Sequence, residues 1–146
     1  MRWMELPLPI SRRIAVVLSL ACIGLAAEAQ APTGQAHAID GLSFHGQTGE
    51  QGKGEHHEDT ITFEDGYFRS LDCENWGFSA APYSVRKQGD SLLFEAILRS
   101  PDRGRLEWRG IITGDKASAT FRWLHERWYW DIDRHYWFEG VRVGRP

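Results

Sequence analysis

From Ile39 to Val143 the chain repeats one pattern, a run of alternating apolar and polar residues followed by a turn signal. Successive side chains on a strand point to opposite faces, so such alternation marks strands that bury one face. Leu42 and Phe44 alternate with polar neighbours, and Ile61 and Phe63 alternate with Thr60, Thr62 and Glu64. Asp65-Gly66 supplies a tight hairpin turn, because both residues tolerate positive φ. A third strand is expected over Tyr67 to Asp72, and a longer connection over Cys73 to Pro82. Tyr83 and Val85 open a fourth strand that stops at Gly89-Asp90.

Leu92, Phe94, Ala96 and Leu98 share one face of a fifth strand, and Leu93, Glu95, Ile97 and Arg99 share the other. After the turn at Ser100 to Gly104, Leu106, Trp108, Gly110 and Ile112 form one face of a sixth. Gly114-Asp115 turns the chain again, Ala119, Phe121 and Trp123 share a face of a seventh strand, and Tyr136 to Val143 is an eighth. Gly46 to Glu58, rich in Gly, Glu and Gln, reads as a long exposed loop. No amphipathic helix of useful length interrupts the pattern.

Strands joined by turns about a dozen residues apart describe a meander. The expected fold is all-β: one small antiparallel up-and-down β-barrel of about eight strands, calycin-like in count, with a β-sandwich as the alternative. A barrel removes exposed edges by closing on itself. Gly110 and Gly140 fall inside strand patterns, where a missing Cβ relieves a bend or a close approach.

The N-terminus reads differently. Arg2, Arg12 and Arg13 form a positive leader, Ile14 to Ala27 an apolar run short of the ~20 residues of a membrane span, and Ala27-Glu28-Ala29 a small-x-small cleavage site. Residues 1–29 are therefore expected to be a cleaved signal peptide, residues 30–38 a flexible arm and residues 39–146 the barrel domain. The expected location is periplasmic or secreted, with no membrane span after cleavage. Cleavage would leave Cys73 as the sole cysteine, so no internal disulfide can staple the fold. The 146-residue chain carries a formal charge of −3. That balance argues against a nucleic-acid partner, which calls for a clustered basic surface.

The chain from Asp59 to Gly140 also resembles a group of small exported proteobacterial β-proteins. The likeness is carried by Asp59-x-Ile61-Thr62-Phe63-x-Asp65-Gly66-x-Phe68-x-Ser70-x-x-Cys73, by Gly89-Asp90-x-Leu92-x-Phe94-Glu95-Ala96, by Trp108-x-Gly110 and by Tyr136-Trp137-Phe138-x-Gly140. It implies export and a compact β fold, and it carries no activity, cofactor or catalytic residue. The likeness to lipocalins and avidins is one of strand count alone, since the Gly-x-Trp signature of a first lipocalin strand is missing.

Seven Trp, four Tyr and seven Phe are a heavy aromatic load, and it is concentrated near the C-terminus. Trp128-Tyr129-Trp130 sits at the connection between the last two strands, where three consecutive rings cannot all enter one core. The candidate ligand-binding residues are Trp108, Trp123, Trp128, Trp130, Tyr136 and Phe138. They suit a rim that stacks on an apolar or aromatic ligand; the competing use of the same rings is to plug a barrel end.

Other clusters point less clearly to chemistry. Glu55-His56-His57-Glu58-Asp59 has the residue types of a metal site but not the spacing, so a solvated loop is the expectation and no metal or cofactor is assigned. His125 and His135 flank the aromatic cluster and would meet if the hairpin register placed them opposite each other. Cys73 lies between Asp72 and Glu74, which oppose a thiolate. Arg99, Arg103, Arg105 and Arg109 gather round one hairpin, with Glu107 among them. With no catalytic template present, the expected function is non-catalytic binding of a small apolar or aromatic ligand. The alternative is an envelope protein–protein interaction or inhibitor module that uses exposed Trp and Arg.

Overall fold

A computed structural model describes residues 38–144; the expected signal peptide, and the expected arm apart from Ala38, lie outside the described residues. The chain forms β1 (Ser43–Glu50), β2 (His56–Glu64), β3 (Tyr67–Ser70), α1 (Leu71–Asn75), β4 (Ala81–Gln88), β5 (Ser91–Ser100), β6 (Gly104–Thr113), β7 (Lys116–His125) and β8 (Ile132–Val143). The strands pair in sequence order, all antiparallel, and β8 returns to β1, so the sheet closes as an up-and-down barrel. Closure settles the choice between barrel and sandwich. Among the described residues no helix is long and apolar enough to cross a membrane.

The alternation read from β5 to β7 is the alternation of burial. Phe94, Ala96 and Leu98, then Leu106, Trp108 and Ile112, then Ala117, Ala119 and Phe121 all point inward. Each ring taken from water contributes about 1.5–3 kcal/mol, so this inward face drives closure. Gly110 lies opposite Phe94 in the β5–β6 register, and a Cβ there would overlap the Phe94 ring. The strand carries glycine because the barrel interior is full at that level.

Two expected elements differ. The loop expected over Gly46 to Glu58 shrinks to residues 51–55, because β1 and β2 zip along Gly46↔Asp59, Gln47↔Glu58, Thr48↔His57 and Gly49↔His56. Glycine at position 46 is required by its neighbour, since a Cβ there would strike the Glu139 carbonyl of β8. The third strand ends at Ser70 and not at Asp72, and a single helical turn follows. Ser70 is its N-cap: its backbone is extended at φ −117 and ψ 125, and its Oγ accepts a 3.1 Å bond from the Cys73 amide. Asp72 and Glu74 sit in the first turn, where negative charge suits the helix dipole. The buried Asp59 carboxylate of β2 fastens the cap. It accepts the Ser70 hydroxyl at 2.7 Å, the Asp72 amide at 3.0 Å and the Thr60 amide at 2.7 Å.

The two barrel ends are built differently. At one, the turn before β1 folds across the opening and buries Ile39 to 1% exposure. The Gly41 amide donates to the Phe63 carbonyl at 2.7 Å, and Asp40 accepts the Tyr83 hydroxyl at 2.6 Å and the Gly66 amide at 3.0 Å. At the other end lie α1, the connections 51–55 and 101–103, and the tip 126–131. There β8 runs past its last rung with β1, Glu50↔Tyr136, and continues to His125↔Ile132 paired with β7. The β7–β8 hairpin therefore projects beyond the barrel rim.

Candidate functional site

Rings fill the barrel from the plugged end upward. Phe63 meets Tyr83 and Phe94 edge-on at 5.1 and 4.9 Å between centroids, and Phe68 meets Trp108 at 5.0 Å. Higher up the packing becomes parallel. Trp108 stacks on Phe121 at 4.0 Å and 13°, and Phe121 on Tyr136 at 4.9 Å and 7°. The column leads into a cavity of about 150 Å³ at the open end.

Phe121 and Trp123 of β7, Tyr136 of β8 and Leu106 of β6 form one side of the cavity. Cys73, Trp76 and Phe78, from α1 and the segment behind it, form the other. The walls are tied together. The Trp123 indole N–H donates to the Arg103 carbonyl at 2.7 Å, and the Arg103 guanidinium lies 5.4 Å from the centre of the Trp76 ring. The segment behind α1 is clipped to β5 by the Ser79 amide, which donates to the Arg99 carbonyl at 3.0 Å.

Few polar groups face the cavity. Thr48 Oγ1 donates to the Trp137 carbonyl at 2.8 Å. His57 Nε2 and the Asp72 carboxylate are 2.8 Å apart. An ionised carboxylate only accepts, so Nε2 carries the proton of this bond. Cys73 completes a thiol–imidazole–carboxylate trio by residue type, but not by chemistry. Burial pushes its thiol far up, and Asp59, Asp72 and Glu74 push it further, against a partial offset from Ser70. A thiol held protonated is a poor nucleophile.

Of the six candidate ring residues, Trp123 and Tyr136 line the cavity. Trp108 and Phe138 are buried within the core, at 1% and 0% exposure. Trp128 and Trp130 stand at the projecting tip with Tyr129 between them, exposed by 95%, 62% and 55%.

The histidine clusters come apart. His56 and His57 belong to β2 and point to opposite faces. His56 Nδ1 pairs with Gln47 Oε1 at 3.0 Å on the outside, whereas His57 faces the cavity. His125 sits opposite Ile132 and His135 opposite Arg122, so the hairpin does not place the two histidines on one rung. Among the described residues no group of three or more His, Cys, Asp or Glu is placed to hold a metal ion. The arginine group also divides: Arg105 pairs with Glu107 at 2.9 Å, Arg109 lies 3.5 Å from Glu95, and Arg103 turns to the cavity.

His57, expected in a solvated loop, belongs to β2, and the parity of that strand sets the face it takes. Asp59, Ile61 and Phe63 are inward, so any residue two positions earlier on the same strand is inward too. Cys73 and Trp76 fall in the expected connection over Cys73 to Pro82, and the capped helical turn that brings them to the cavity begins inside the expected third strand.

Fold and site together define a closed eight-strand antiparallel barrel, the strand number of the calycins, with an aromatic-walled pocket at its open end. Comparison with known proteins finds no matching family model, no matching curated protein and no matching solved structure.

Proposed function

We propose that this chain is an exported binding protein that holds one small aromatic or apolar molecule in its open-end pocket and performs no chemistry on it. The observation that carries this reading is the cavity itself, about 150 Å³ and walled by rings continuous with the core stack. An apolar cavity on the order of 150 Å³ accepts a molecule the size of benzene. A ring entering beside Tyr136 and Trp123 would extend the existing stack, and offset ring pairs are worth about 0.5–1.5 kcal/mol beyond the area they bury. The protonated thiol and the His57–Asp72 pair, each engaged within the protein, supply no activated nucleophile. Export follows from the leader reading of residues 1–29.

Titration with indole and with toluene, followed by tryptophan fluorescence and native mass spectrometry, tests the proposal. Saturable quenching with a one-to-one mass shift is expected, and Trp123→Ala weakens it at least tenfold. Absence of any bound species at millimolar ligand overturns it.

A second reading is favoured by a different observation, the exposed Trp128-Tyr129-Trp130 tip. Tryptophan and tyrosine are common anchors at protein interfaces. In that reading the tip docks on an envelope protein. Crosslinking in periplasmic extracts would then give one partner that the Trp128→Ala, Trp130→Ala double variant loses.

A further inference from the structure

We infer that the ligand of the open-end pocket is an anion, a single-ring aromatic carboxylate whose ring lies against Trp123 and Tyr136 and whose carboxylate pairs with Arg103. This rests on the pocket being a ligand site, as proposed above, and adds the chemical class of its occupant.

The charges around the pocket carry the inference. Asp72 is the carboxylate that lines the pocket, and it holds His57 at 2.8 Å; on the elements around it Glu74 holds Arg69 at 2.8 Å, Glu107 holds Arg105 at 2.9 Å, and Glu50 lies 3.5 Å from Arg134. Arg103 lines the pocket and makes no ion pair among the described residues. A guanidinium so placed beside an apolar wall is a ready receiver for a carboxylate, which it can engage through two parallel hydrogen bonds.

Arg103 is also held in position. Its backbone carbonyl takes the Trp123 indole N–H, and its side chain lies over Trp76. Trp123, which would meet the ligand ring, thus anchors the Arg103 backbone, and Trp76 on the opposite wall restrains its guanidinium. Restraint before binding lowers the ordering cost of forming the pair. The competing possibility is an amine recognised by Asp72, but that carboxylate is already bonded to His57.

Calorimetric titration of the purified protein with benzoate, benzyl alcohol and benzylamine near neutral pH tests the assignment, because the three share a ring and differ in charge. Benzoate is expected to bind at least tenfold more tightly than benzyl alcohol, with the gap narrowing as salt is raised. Arg103→Gln should abolish that gap, read as the ratio of the benzoate and benzyl alcohol affinities within the variant, and Arg103→Lys should restore part of it. Equal affinity for benzoate and benzyl alcohol, or a benzoate preference that survives Arg103→Gln, overturns the anion assignment and leaves the pocket reading standing. Benzylamine as the tightest of the three overturns it in favour of Asp72. No binding of any of the three overturns the pocket reading and the ligand class together.

Discussion

The two ends of this barrel meet the same problem, covering the rims of eight strands, with opposite materials. One is closed by the chain's own turn: Ile39 enters the core, and Asp40 gathers a tyrosine hydroxyl and a turn amide. Burial and the Asp40 bond both push the Tyr83 hydroxyl upward, which keeps it a donor to that carboxylate. The other is rimmed by a capped helical turn and a projecting hairpin, and between them the ring stack is left accessible. Polar groups satisfied locally allow an end to seal, whereas large rings that outrun the available cover leave a cavity. The cavity here needs no special element beyond an incomplete lid.

Substitutions on the two sides of that contrast should separate in magnitude. Trp108→Ala, in the full part of the barrel, is expected to cost about 3–5 kcal/mol in urea unfolding. A loss below 1 kcal/mol would mean that the interior is not packed as described. Next comes the plug: Ile39→Ala should cost about 2–5 kcal/mol by the same measurement, since it opens a hole at a fully buried site.

The Asp59 carboxylate, which fastens α1 at the open end, gives a smaller effect that depends on pH. Its pKa is raised in the folded protein, chiefly by burial, against the bonds from Asp72, Ser70 and Thr60. The folded state therefore holds the Asp59 proton more tightly than the unfolded chain does. Its linkage contribution to stability is full below the ordinary aspartate value and is lost as pH rises through the raised folded value. Unfolding curves across the acidic range should show that decline, and Asp59→Asn should flatten it. An unaltered profile in the variant would place the titration elsewhere. Smallest of all, Trp128→Ala at the tip should change stability by no more than about 0.5 kcal/mol, because its ring is almost wholly in solvent. A clear drop in melting temperature would show that the tip packs on something.

Much of the fold was legible because its main signal is local. The faces of β5, β6 and β7 followed from period-two alternation, and the hairpin turns from Asp65-Gly66, Gly89-Asp90 and Gly114-Asp115. The loop after Gly46 was overdrawn, since glycine and glutamate signal a turn only until a neighbouring strand pairs with them. The helical turn was overlooked for a related reason. Ser70 has the residue type of an N-cap, yet the side chain that fastens it belongs to Asp59 on another strand.

The site was half visible. Trp123 and Tyr136 could be named from the aromatic cluster, but composition does not distinguish a ring in the core, such as Trp108 or Phe138, from one at a mouth or a tip. That distinction depends on depth along the barrel axis, which is set by the stagger between strands distant in sequence.

The amino-acid order alone thus determined which residues alternate, where the chain reverses, and that many large rings must find cover, because each of these depends on neighbours within a few positions. Only the closed sheet decided that His57, Asp72, Arg103 and Trp123 share one cavity. Those four come from β2, α1, the β5–β6 turn and β7, and the register that brings them together is set by hydrogen-bonded ladders spanning the whole domain.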